Sequence, residues 1–93
     1  MDIKIIHDQK NHTFKTSIDD ECCLNYKMID KNVINFYHTF VPEKLRGKGI
    51  AATLVEAGLR YAGNNNLRVI PDCSYVRLFI QRNDKYRSLL ESE

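Results

Sequence analysis

The sequence predicts an α/β fold in one small domain, residues 1–93, with a five-stranded mixed sheet and two helices. Two observations predict it. Short β-branched and aromatic runs separated by polar turns fill residues 2–41, which is typical of an antiparallel meander. A long amphipathic segment then separates the fourth run from a short fifth run, and this order predicts a parallel βαβ crossover.

Four strands are expected in the first part of the chain, at residues 2–7, 12–18, 22–29 and 33–41. Apolar and polar residues alternate within these runs, as they do in half-buried strands. The fourth run is apolar in both alternating sets. Ile34, Phe36, His38 and Phe40 form one set, so we expect this strand to be central and covered on both faces.

The longest helix is predicted at residues 49–62, directly after the fourth strand. Ile50, Leu54, Ala57 and Tyr61 recur at helical spacing, and Gly63 with Asn64-Asn65-Asn66 is expected to end the helix through the left-handed conformation. A short fifth strand follows at residues 67–70 and a second helix at residues 75–82. A final helical turn or short strand is expected at residues 85–90.

Composition indicates a soluble, cytoplasmic globular protein, with 43% hydrophobic and 28% charged residues. A net charge of +2 is too small to favour nucleic-acid binding. No apolar run is long enough to span a membrane or to form a signal peptide, so no membrane partner is expected. Three cysteines do not suit a disulfide framework, and the dispersed His7, His12 and His38 give no metal spacing.

The segment between the fourth strand and the long helix is the first candidate site. Gly47 and Gly49 can adopt positive φ, and Lys44, Arg46 and Lys48 add three cations. The first N–H groups of a helix have no partner within it, and the helix dipole adds partial positive charge there. This arrangement predicts a phosphate or pyrophosphate cradle. The alternative is that the glycines only shape the turn.

Two side chains are candidate catalytic groups. Cys73 lies where the second helix is expected to begin, a setting that favours the thiolate. It also lies at the carboxyl end of the parallel strands, as the glycine loop does, so both could face one ligand. The alternative for Cys73 is a small buried hydrophobic residue. His38 is either a general base or a hydrogen-bonded histidine within the core.

Three motifs together resemble a known family. Arg46-x-x-Gly49-x-Ala51 resembles the Arg/Gln-x-x-Gly-x-Gly/Ala signature of the Gcn5-related N-acetyltransferases. His38-Thr39-x-Val41 and Pro71-x-Cys73-Ser74-Tyr75-Val76 resemble a minimal subgroup of that superfamily, over about residues 33–90. The resemblance implies acetyl-CoA as a substrate and transfer of its acetyl group to an unidentified amine, with an acetyl-Cys73 intermediate as one route. The contacts that it implies with CoA come from Thr39, Phe40, Val41, Arg46, Gly47, Lys48, Gly49, Ile50, Ala51 and Tyr75.

The sequence departs from the family pattern in two respects. We expect it to lack the N-terminal helices that help to shape the acceptor pocket, and Phe79 stands where a tyrosine commonly protonates the CoA thiolate. Cys73 or Tyr75 is a candidate substitute for that tyrosine. A non-catalytic acyl-CoA sensor or adaptor is therefore the alternative function. A small basic interaction module is a third, if the glycine loop is only structural. We expect a monomer or a weak homodimer.

Overall fold

The protein structure, a computed structural model, describes residues 3–91. The five strands form one sheet in the order β1-β2-β3-β4-β5; the first four are antiparallel to their neighbours, and β5 is parallel to β4. The predicted α/β fold is therefore confirmed. The elements are β1 (Ile5–Asp8), β2 (Thr13–Thr16), β3 (Cys23–Asp30), β4 (Val33–Phe40), α1 (Ile50–Asn64), β5 (Arg68–Pro71) and α2 (Ser74–Arg82), with short 3-10 helices at Glu43–Leu45 and Asp84–Leu89.

The ends of some elements differ from the predictions. The predicted first strand began at Asp2, which lies outside the described residues. Helix α1 ends at Asn64, two residues beyond the predicted end, and within the predicted terminating stretch Asn66 is the residue that adopts the left-handed conformation, with φ of 57°. The last predicted segment is a 3-10 helix and not a strand.

Helix α1 packs across the sheet, and Gly58 brings it unusually close. A Cβ atom at Gly58 would lie 2.7 Å from Leu24 Cδ2 and 2.9 Å from Phe36 Cε1. Both of those side chains are fully buried, as are Leu54 and Leu59 on the helix. The absent side chain at Gly58 therefore sets the distance between α1 and the sheet.

A β-bulge interrupts the pairing of β3 with β4. Asn25 pairs with His38, but the next residue, Tyr26, pairs with Phe36. Tyr37 is thus an extra residue on β4, inserted between the partners of two residues that are consecutive on β3. Such a bulge reverses the alternation of side chains beyond it.

The bulge decides which side chains share a face with α1. Thr39 pairs with Leu24, whose side chain packs against α1, so Thr39 lies on the same face as Phe36. His38 and Phe40 lie on the opposite face, hereafter the outer face. The prediction that Phe36, His38 and Phe40 share a face is wrong, because strict alternation does not allow for an inserted residue.

Strand β4 is covered on both faces only in its first half. Residues 33–36 are buried, whereas residues 37–40 are exposed or half-buried. Pairing with β5 ends at Phe36 opposite Pro71, and one further bond, from Cys73 N–H to Phe36 C=O at 2.9 Å, closes it. The expected two-sided cover therefore fails for the second half of the strand, where β4 and the chain leaving β5 separate.

His7 connects the edge strand β1 to the core. Its imidazole stacks on the Phe14 ring with centroids 4.1 Å apart and meets the Tyr61 ring edge-on at 4.5 Å. His7 Nε2 also lies 2.6 Å from the Tyr26 hydroxyl oxygen. Burial lowers the pKa of His7 below its ordinary value, although the neighbouring Asp8 carboxylate partly opposes this shift.

We expect the Gly58→Ala variant to lose about 1–3 kcal/mol of unfolding free energy, the usual cost of overpacking a core. Gly63→Ala is the matched control, since a Cβ there would meet only Leu89 Cδ2 at an ordinary 3.7 Å. That control should be neutral or up to about 1 kcal/mol more stable. Urea unfolding of both variants measures the difference, and equal stabilities would contradict the role given to Gly58.

We expect the unfolding free energy to fall as the pH drops below about 6.5, because the unfolded chain then takes up a proton that folded His7 resists. The contribution of neutral His7 is fully present above that pH and is lost towards its lower pKa in the folded state. His7→Phe should flatten this part of the stability profile. Urea midpoints between pH 5 and pH 8 test the expectation.

Candidate active site

A pocket of about 470 Å³ lies beside the start of α1, at the point where β4 and α2 separate. It contains every predicted CoA contact except Lys48, and it adds Leu45 and Ala52, which the sequence reasoning missed. Ala52 belongs to the first turn of α1, so the prediction of a cradle built on helix N–H groups could have included it. The lining residues are Thr39, Phe40, Val41, Leu45, Arg46, Gly47, Gly49, Ile50, Ala51, Ala52 and Tyr75.

The cradle end of the pocket consists mainly of backbone. Gly47 and Gly49 both adopt positive φ, 82° and 80°, and within the described chain no atom lies within 4 Å of a Cβ built at either position. The first-turn N–H groups, on residues 50–52, precede the first helical bond, which runs from Thr53 N–H to Gly49 C=O at 3.1 Å. Among residues 3–91, no side chain caps this helix end, and its first turn contains no acidic residue. The cradle can therefore accept an anion.

Arg46 is the loop cation that lines the pocket. Its Nε donates to the Val41 carbonyl at 2.9 Å, which holds the guanidinium at the end of β4 and leaves its other donors for a ligand. Lys44 points elsewhere, with its ammonium 3.9 Å from the Asp19 carboxylate. The predicted set of three loop cations therefore contributes one pocket residue, and Lys44 and Lys48 lie outside the lining.

Cys73 lies directly behind the pocket wall. It precedes the first residue of α2, and its Sγ is 3.3 Å from Thr39 Oγ1. Thr39 lines the pocket, so the thiol contacts a pocket residue through this pair. Cys73 is also half-buried and packs against the hydrophobic core. The Cys73 side chain therefore both packs against the core and contacts the pocket wall.

His38 lies outside the pocket lining. Its side chain is exposed and, because of the bulge, lies on the outer face. The alternative of a histidine hydrogen-bonded within the core is therefore wrong. A role as a base would require an acceptor that approaches from the outer face.

Tyr75 and Phe79 occupy different surroundings on α2. Tyr75 lines the pocket, and burial raises its pKa although Arg82 partly opposes the shift, so its phenol keeps its proton at neutral pH. Phe79 instead packs against the core, with its ring 6.0 Å from that of Tyr86. Tyr75 is therefore the tyrosine hydroxyl available to the pocket.

A second, more open cavity of about 420 Å³ lies between β1, β2 and the second half of α1, beside His7 and Tyr61. Across residues 3–91, no three His, Cys, Asp or Glu side chains are grouped to hold a metal ion. Within the same range, no helix has the length and apolar character to cross a membrane.

The chain has clear similarity to known proteins. The family described as GCN5-related N-acetyl-transferase matches residues 13–89. Protein NATD1 from Bos taurus is 31% identical over 84 residues, which is 87% of this chain and 74% of that protein. Protein NATD1 from Gallus gallus is 30% identical over the same share of this chain and 76% of its own length. A GCN5-like protein from Staphylococcus aureus, solved in solution by NMR, superposes with a TM-score of 0.75 at 26% identity, covering 97% of this chain and 89% of that one.

Proposed function

The chain belongs to the GCN5-related N-acetyltransferase family, and from this membership we propose that it binds acetyl-CoA and transfers the acetyl group to an amine. The observation that carries the proposal is the pocket between the α1 N-terminus and the Thr39–Cys73 pair. We further propose that the chain represents the minimal subgroup marked by Pro71-x-Cys73-Ser74-Tyr75-Val76. The small size of the similar Staphylococcus aureus chain supports this assignment.

The cradle suits the pyrophosphate of CoA. The first-turn N–H groups of α1 and the helix dipole favour an anion, and Arg46 adds a fixed positive charge. Gly47 and Gly49 leave open space where side chains would otherwise stand. The proposed contacts are therefore mainly from the backbone, so they depend on the loop conformation more than on side-chain identity.

The pantetheine arm suits the second half of β4. Beyond Phe36 this strand no longer pairs with β5, and its Thr39, Phe40 and Val41 line the pocket. An extended arm with amide groups can pair with such a free strand edge as an added strand does. In this arrangement the thioester lies towards the Thr39–Cys73 pair.

The proposed transfer has two steps. The Cys73 thiolate attacks the acetyl carbonyl, an S–C bond forms at Cys73, and the bond from carbonyl carbon to CoA sulfur breaks. CoA leaves as a thiolate and takes a proton, for which we propose the Tyr75 hydroxyl as donor. The amine, after giving up its extra proton to water, attacks acetyl-Cys73 through its nitrogen lone pair. The amide forms, the Cys73 thiolate returns, the second amine proton passes to His38 or to water, and Tyr75 regains its proton from water.

A second function is favoured by one observation. Phe79 has no proton to donate and packs against Tyr86 rather than facing the pocket. A protein that binds acyl-CoA as a sensor or adaptor needs the pocket but needs no proton donor. The two functions predict the same CoA affinity and differ in turnover.

We expect Arg46→Ala to weaken CoA binding by about 1.5–3 kcal/mol, the cost of removing hydrogen bonds to a charged group. Lys44→Ala is the matched control, because it removes a charge from the same loop but outside the pocket. Its effect should remain small, since an exposed charge contributes little. Isothermal titration calorimetry with CoA compares them, and equal losses in the two variants would argue against the cradle.

Incubation with acetyl-CoA and no acceptor should add one acetyl group at Cys73. Intact-mass measurement and peptide mapping detect it, Cys73→Ser should abolish it, and Cys23→Ser should leave it unchanged. An unmodified Cys73 with full turnover in the Cys73→Ser variant would leave direct transfer from acetyl-CoA. CoA binding without turnover on any amine would favour the sensor.

A further inference from the structure

A polar pair of one buried and one exposed side chain lies on the outer face at the end of β5. Asn35, on β4, is only 4% exposed, and its side-chain amide donates to Asp72 Oδ2 at 2.9 Å. Asp72 itself is exposed and follows the last residue of β5. The buried side chain therefore fixes a carboxylate at the surface.

This pair is costly for the fold. Within the described residues, Asn35 Oδ1 is buried without any hydrogen-bond partner. An unsatisfied buried carbonyl is destabilising, and an apolar residue of similar size at this strand position would avoid that cost. The bond to Asp72 accounts for a polar residue at this buried position.

Asp72 marks the outer opening of the gap in which Cys73 lies. Asn35 and Phe36 are consecutive on β4 and point to opposite faces, and Phe36 faces α1. Asp72 therefore lies on the outer face through its bond to Asn35, whereas Cys73 contacts Thr39 on the α1 face. With CoA in the pocket on the α1 side, the outer face is the side left open for an acceptor to approach Cys73.

The Asp72 carboxylate is free to bind a cation there. Within residues 3–91, no lysine or arginine nitrogen lies within 4.0 Å of it. Arg77 is near, but its guanidinium donates to the carbonyl oxygens of Pro71 and Asp72, at 3.2 and 3.5 Å. The bond from Asn35 occupies Oδ2 and leaves Oδ1 for another donor.

We propose that Asp72, positioned by Asn35, binds the ammonium group of a cationic amine acceptor at the outer opening of the gap between β4 and α2. The proposal rests on the proposed acetyl transfer for its biological meaning. The acceptor is then recognised by its positive charge and by the fixed position of the carboxylate. Asp72 is a binding residue in this scheme, and Asn35 is a positioning residue.

The test is an NMR titration of the labelled 93-residue chain, with and without CoA, using 1-aminopentane and 1-pentanol. These probes differ in an ammonium and a hydroxyl group. The amine should shift the Asp72 and Cys73 backbone signals and the Asn35 side-chain amide signal saturably, and the alcohol should not. Asp72→Asn should weaken amine binding by up to about fivefold, the scale of one exposed ion pair, without changing the calorimetric affinity for CoA. Equal amine binding by Asp72→Asn, or equal shifts with 1-pentanol, would overturn the proposal.

The Asn35→Leu variant distinguishes a role of Asn35 in positioning Asp72 from a purely structural role. It should leave the melting temperature unchanged or raise it, and it should weaken amine binding. A lower melting temperature with unchanged amine affinity would show a purely structural Asn35. Mass spectrometry for N-acetylpentylamine tests the transfer separately: Asp72-dependent amine binding without this product would contradict the proposed function while supporting the cation site.

Discussion

The separation of β4 from β5 beyond Phe36 and Pro71 is the constraint on which the whole site depends. Pro71 has no N–H group, so it cannot donate to the ladder, and Cys73 supplies the last bond to β4. From that point β4 continues alone while the other chain turns into α2. The pocket, the thiol contact and the Asn35–Asp72 pair all stand around this single opening.

The order and type of the elements were predictable because they depend on local signals. Alternation marks the strands, helical spacing marks α1, and polar turns separate them. The bulge at Tyr37 was not predictable in this way, since neither glycine nor proline marks it and an inserted residue is visible only against the partner strand. That single residue moved Thr39 to the α1 face and His38 to the outer face.

Some features of the candidate site could likewise be predicted from the sequence, and others could not. The conformation of the glycine loop could be predicted because glycine tolerates the positive φ that Gly47 and Gly49 adopt. The partner of Lys44 could not, because Asp19 comes from a distant turn and only the folded chain brings it near. The Thr39–Cys73 and Asn35–Asp72 contacts depend on strand register, which composition and periodicity leave undetermined.

Two polar pairs lie beside the gap, one on each face of the sheet. Cys73 and Asp72 are consecutive, so an extended chain leaving β5 directs them to opposite sides. A chain of 93 residues has a small core and little stability to spare for a buried, unsatisfied asparagine. A destabilising asparagine at the outer opening has a use if ligands bind on both sides of the gap. The pyrophosphate cradle would then serve the α1 face, and Asp72 would bind a cation on the outer face. The thiol between them is then placed where two ligands can meet.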